Sequence, residues 1–212
     1  MSEFPGPAGN VYDKYGTRNP VARLIMGGFL HAFDRLVSRV PSGDALEVGC
    51  GEGELSIRLS QRGFMVQACD IDGGIVAEAR LRAHAAGASI GFFVADLLKQ
   101  AEMTGTCTEC IPSGPFPLVI CCEVLEHVPD PEAGLDALAR LTAGHLLASV
   151  PREPLWRCLN VARGRYLRDW GNTPGHVNHW NRRQFLDLLR TRFDVIETAA
   201  PVPWTMALCR PR

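Results

Sequence analysis

Lysine is almost absent from this chain: of 22 basic side chains in 212 residues only Lys14 and Lys99 are lysines, and the formal net charge is −1. No block of like charge occurs, so neither the basic footprint of a nucleic-acid binder nor a polybasic membrane anchor is present. No apolar run reaches the roughly 18–20 residues that span a bilayer, and residues 1–20 lack the basic start and apolar middle of a signal peptide. The expected location is therefore cytoplasmic, without nucleic-acid or membrane partners. Internal repeats and low-complexity tracts are missing as well. Cysteine is not scarce, yet Cys50, Cys69, Cys121, Cys122 and Cys209 fall in or beside apolar, strand-like segments. That placement favours reduced, buried thiols over a disulfide framework.

With 46% hydrophobic residues the chain can build one sizeable core, and its length favours one domain over residues 1–212. Residues 1–40 read as an N-terminal arm and helix, 45–150 as the core, 151–180 as an insertion and 181–212 as the completion of the sheet. Val21, Leu24, Ile25, Phe29, Phe33, Leu36 and Val37 recur at helical spacing before Pro41. Strand and helix patterns then alternate: strands at 45–48, 65–69, 90–95, 118–122 and 145–150, helices at 54–62, 74–86 and 131–141. A helix at 182–191 and strands at 194–198 and 204–209 close the chain. Such alternation predicts an α/β fold of three layers, a mostly parallel sheet with helices on both faces.

Strand one runs into Gly49-Cys50-Gly51-Glu52-Gly53 and then a helix, a turn in which glycine lets a ligand approach the main chain. Dinucleotide enzymes use a similar turn, but Glu54 stands where their fingerprint has its last glycine. Asp70 ends the second strand, where a carboxylate can accept both hydroxyls of a ribose, and Ile71 offers an apolar face to a flat base. Asp72 reads as a helix cap. Asp96 ends the third strand, where it can receive an exocyclic amine.

These features resemble class I S-adenosylmethionine-dependent methyltransferases. Leu46-Glu47-Val48-Gly49-Cys50-Gly51-Glu52-Gly53 is similar to the family's first motif, Cys69-Asp70-Ile71-Asp72 to its second, and Ala95-Asp96-Leu97 to its third. Residues Phe116–Val128 are similar to its fourth, with Pro117 in place of the usual aspartate. The resemblance implies a Rossmann-like, seven-stranded sheet whose last strand is antiparallel, with S-adenosylmethionine as methyl donor and S-adenosylhomocysteine as product. It also implies that Glu47, Gly49, Cys50, Gly51 and Gly53 hold the methionine part, Asp70 the ribose, Ile71 the adenine face, and Asp96 with Leu97 the adenine edge. Glu123 would lie beside the methionine moiety.

Methyl transfer needs positioning above all, and a base only if the nucleophile arrives protonated. The resemblance puts His127 facing the methyl group, as base or as scaffold. His176 and His179 precede the penultimate helix, which Asn181 would cap, and either can orient a substrate. No ligand spacing compels a metal among these histidines, and the lone Cys107/Cys110 pair reads as loop, so no metal is expected. The insertion carries Arg152, Arg157, Arg163, Arg165 and Arg168 with Trp156, Tyr166 and Trp170. Arg152 and Arg157, with Tyr15 folding back from the N-terminal arm, are the expected contacts of a small substrate bearing an anionic group. The expected reaction is methylation of an oxygen, nitrogen or carbon of a small metabolite by a monomer or homodimer. A nicotinamide-dependent oxidoreductase, a non-catalytic relative that binds the cofactor, and a macromolecular methyltransferase are the rival readings.

Overall fold

The computed structural model describes residues 19–99 and 114–212. Tyr12, Tyr15, Arg18, Cys107 and Cys110 lie outside the described residues. Helix α1 (Pro20–Val37) starts where the Asn19 side chain accepts the amides of Val21 and Ala22 and Pro20 needs no amide partner. The elements that follow are β1 (Asp44–Val48), α2 (Glu54–Ser60), β2 (Met65–Asp70), α3 (Gly73–Ala85), β3 (Ile90–Val94) and β4 (Phe116–Cys122). After a 3-10 turn at Leu125–His127 come α4 (Pro131–Leu141), β5 (Thr142–Pro151), α5 (Leu155–Ala162), a second 3-10 turn at Leu167–Asp169, α6 (Arg182–Leu189), β6 (Phe193–Ala199) and β7 (Trp204–Pro211).

All seven strands form one sheet in the order β3-β2-β1-β4-β5-β7-β6. Strands β1 to β5 pair in parallel, and β7 inserts antiparallel between β5 and β6. The last strand therefore runs against its neighbours, as expected. One face of the sheet packs on Leu135 and Leu138 of α4 and Phe185 and Leu189 of α6. A second cluster packs Phe29, Phe33 and Leu36 of α1 and Leu55 and Leu59 of α2 against Leu118, Ile120, Leu147 and Met206 of the sheet. Each of these large side chains is at most 4% exposed, a contribution of about 1.5–3 kcal/mol apiece against full exposure. No helix among the described residues is long and apolar enough to cross a membrane.

The five core cysteines are free and buried, with burial raising every one of their thiols, so they stay protonated and inert. Several strands outrun the lengths read from sequence. Strand β5 starts at Thr142 rather than 145, following α4 directly, with a register shift between Phe116 and Leu118 on its neighbour. Strand β7 continues to Pro211 because Arg210 and Pro211 still pair with Asp194 and Phe193. Helices α2 and α6 stop two residues earlier than expected, at Ser60 and Leu189.

Candidate cofactor and acceptor site

The carboxyl ends of β1, β2 and β3 meet around the glycine turn. Gly49, Gly51 and Gly53 have φ of 72°, 51° and 82°, a region that costs other residues about 1–2 kcal/mol each. The amides of Gly49 and Cys50 donate to the Cys69 carbonyl at 2.8 and 2.9 Å, which fastens the turn to β2. At Gly51 an added Cβ would meet nothing within 4 Å, so the turn is open on that side. At Gly49 it would collide with the Val124 side chain. Gly49→Ala should therefore lose about 2–4 kcal/mol of stability from strain and overpacking together, measurable as a drop in the urea midpoint with an unchanged slope.

Asp70 has a local duty that its position in the sequence did not reveal. Its Oδ2 accepts the Gly51 amide at 2.9 Å and its Oδ1 the Asp72 amide at 3.1 Å. An ionised carboxylate offers about four acceptor sites, so both oxygens retain lone pairs for a ligand while they hold the turn. Asp72 caps α3 through the amides of Gly74 and Ile75, as expected. Ile71 is 58% exposed, an unusual state for isoleucine and the apolar face that a base would cover. Asp96 accepts the Leu98 amide at 2.9 Å and is half-buried, while Leu97 is buried.

Glu47 and Glu123 approach the site from β1 and β4. Glu47 is buried, its Oε2 accepts the Ser56 hydroxyl of α2, and burial raises its carboxyl to about 8. Glu123 sits at φ 61°, its amide bonded to the Ser149 carbonyl at 3.0 Å. Its Oε2 accepts the Trp204 indole N–H at 2.6 Å and its Oε1 faces the Ser149 hydroxyl at 3.4 Å. Trp204 was not foreseen in this role. Its only sequence signal is a large amphipathic ring at the start of the last strand.

On the acceptor side, His127 is exposed and its Nδ1 lies 2.9 Å from the Gly175 carbonyl. A carbonyl oxygen only accepts, so Nδ1 carries the proton of this bond. His176 is buried, meets His127 edge to face with centroids 4.8 Å apart, and stacks on Trp156 of α5 at 6.0 Å. Trp156 and Asn160 of α5 bind Thr173, so the insertion holds the histidine loop in place. The two loop histidines do not act together. His179 instead bonds Asn172 Oδ1 at 2.7 Å, and burial, aided by Arg157, lowers its imidazole below the ordinary value. Arg157 is paired with Glu153 at 3.6 Å, and Arg152 is bridged through its backbone to Trp180.

The sequence pattern of the methyltransferase domain family matches residues 22–197. The chain belongs to that family. The chain is 32% identical over 167 residues to a ubiquinone biosynthesis O-methyltransferase of Xylella fastidiosa (strain 9a5c), covering 73% of this chain and 60% of that protein. It is 31% identical over 171 residues to the enzyme of the same name from Xanthomonas oryzae pv. oryzae (strain PXO99A), covering 79% of this chain and 67% of the relative. The chain thus spans about three fifths to two thirds of these curated relatives. Among solved structures, magnesium protoporphyrin IX methyltransferase from Synechocystis PCC 6803 with bound S-adenosylhomocysteine superposes with a TM-score of 0.69 at 23% identity, over 93% of this chain and 90% of that one. The N-methyltransferase NodS from Bradyrhizobium japonicum WM9 gives 0.64 at 18% identity, over 89% and 97%. These likenesses show that the chain shares its fold with both solved structures.

Proposed function

We propose that this methyltransferase, acting as a single domain, transfers a methyl group from S-adenosylmethionine to a nucleophile of a small metabolite, leaving S-adenosylhomocysteine. The observation that carries the reading is Asp70, whose two oxygens hold the Gly51 and Asp72 amides and still have lone pairs for a ribose. The surrounding groups fit the same cofactor. Ile71 offers an open apolar face, Asp96 and Leu97 an adenine edge, and the space beside Gly51 admits a ligand to the main chain. Glu47, Glu123 and the glycine turn, Cys50 included, would receive the methionine part. When bound, the cofactor supplies a sulfonium methyl group whose C–S electron pair stays on sulfur as the new bond forms.

The protein's part is to bring the acceptor in line behind that methyl group and to keep water out. His127, whose Nδ1 is held by the Gly175 carbonyl and whose ring meets His176, is the group this reading sets beside the acceptor. Oxygen is the favoured nucleophile, because the relatives most similar in sequence are named as O-methyltransferases. An anionic group on the acceptor would meet Arg152 more readily than Arg157, whose charge is partly occupied by Glu153. Incubating the protein and labelled S-adenosylmethionine with a whole cell extract should label a small product. Label appearing only in macromolecules would overturn the acceptor class.

Glu47 adds a proton signature. In the cofactor-free protein burial holds its carboxyl near 8, so it is largely protonated at pH 7. A sulfonium and an ammonium nearby would favour the carboxylate and bring that value down. Binding of S-adenosylmethionine should then release a proton at pH 7, and affinity should rise with pH until it flattens above about 8. Calorimetry in buffers of different ionisation enthalpy measures the proton, which should vanish in Glu47→Gln.

A further inference from the structure

Glu123 is held in an unusual way. It is a non-glycine residue at φ 61°, in the left-handed region where a Cβ crowds the following carbonyl oxygen, so its neighbours must keep it there. They grip both the backbone and the carboxyl. The Glu123 amide donates to the Ser149 carbonyl at 3.0 Å, and the Trp204 indole N–H donates to Oε2 at 2.6 Å. The Ser149 hydroxyl stands 3.4 Å from Oε1. An ionised carboxylate only accepts, with about four sites in all, so both donors suit it and leave lone pairs for a further donor.

Trp204 is itself clamped. It is 3% exposed, its ring meets Phe29 of α1 edge to face with centroids 4.9 Å apart, and the Trp156 ring of α5 lies 5.9 Å away. The backbone is fixed as well: Trp204 pairs with Pro151 at the end of β5, and the Arg152 amide donates to the neighbouring Pro203 carbonyl at 2.8 Å. An indole N–H donates and does nothing else, and a buried one needs an acceptor. Phenylalanine would serve if packing were all that the position required. The N–H is what tryptophan adds, and on a ring locked by its neighbours it fixes where the Glu123 carboxyl stands.

We propose that Trp204 is a positioning residue for the cofactor, its N–H holding the Glu123 carboxylate in the orientation that receives the ammonium group of the methionine part. The inference rests on the methyl-transfer reading, in which Glu123 lies beside that part. Charge selects the ammonium, since a carboxylate there attracts it and repels the methionine carboxylate. Trp204 acts through Glu123 and is not itself a catalytic residue. It also ties two parts of the molecule together, because the same ring that aims Glu123 packs on Trp156 of the insertion.

The test is a double-mutant cycle on S-adenosylhomocysteine affinity, read by calorimetric titration of the tag-free chain. Glu123→Ala alone should weaken binding at least about tenfold. Trp204→Phe, which keeps an aromatic ring and loses the N–H, should weaken it at least about fivefold when Glu123 is present and less than about twofold in the Glu123→Ala background. A tryptophan with a merely structural role would lose the same factor in both backgrounds. That additive result overturns the proposal, and so does unchanged binding by either single variant. If circular dichroism shows that Trp204→Phe does not fold, benzothienylalanine in place of Trp204, with sulfur where the N–H was, is judged by the same criterion. Binding by wild type with an additive cycle strikes this inference alone; no binding by folded wild type strikes the methyl-transfer reading.

Discussion

Asp70→Ala is expected to weaken S-adenosylhomocysteine binding by about a hundredfold or more while the chain stays folded. Two hydrogen bonds from ribose hydroxyls to a charged acceptor contribute about 1.5–3 kcal/mol each, and a hundredfold corresponds to about 2.7 kcal/mol. The same substitution releases the Gly51 and Asp72 amides, so the turn loses its fastening as the ligand loses its partner. Asp70→Asn, which keeps one acceptor oxygen, should fall between the two. Calorimetry reads the affinity and circular dichroism the fold; an Asp70→Ala protein that binds within about threefold of wild type would remove the ribose from this position.

The second large effect is on turnover. His127→Ala should lower kcat at least about tenfold, an effect within reach of a positioned acid or base, with S-adenosylhomocysteine affinity within about twofold. The separation follows from geometry, since His127 hangs on the Gly175 loop while the cofactor groups belong to β1, β2, β3 and the start of the loop after β4. Single-turnover transfer from labelled S-adenosylmethionine measures it. Near-normal turnover would reduce His127 to a holder of that loop.

What could be read from the sequence was what depends on neighbours in the chain. Asp72 and Asn181 are caps because a short acceptor side chain precedes a helical pattern, and Asn181 forms a full capping box with Gln184. The glycine turn, Asp70 and Asp96 lie at strand ends because a parallel α/β sheet aligns its carboxyl ends, so their order alone placed them together. Strand ends were harder. The strand pattern begins at His145, but pairing extends β5 back to Thr142, and a Cβ on Gly144 would collide with the Pro117 backbone.

Contacts made by remote segments left no local trace. Trp204 reaches Glu123 across 81 residues because β7 returns antiparallel beside β5. His176 and His179 looked interchangeable, yet only His176 turns to His127, since the stretch between them is irregular and has no helical period to align them. Glu126 belongs to the stretch similar to the fourth motif, and its sequence position implies no role. Its neighbourhood arises only when Val177 and Asn178 bond its carbonyl.

The central claim is a site for S-adenosylmethionine built by the glycine turn with Asp70 and Asp96. Calorimetric titration of the folded, tag-free chain with S-adenosylhomocysteine and, separately, with NAD tests it most directly. The account predicts one S-adenosylhomocysteine per chain and no heat from NAD; NAD binding, or no S-adenosylhomocysteine binding by protein that circular dichroism shows to be folded, would contradict it.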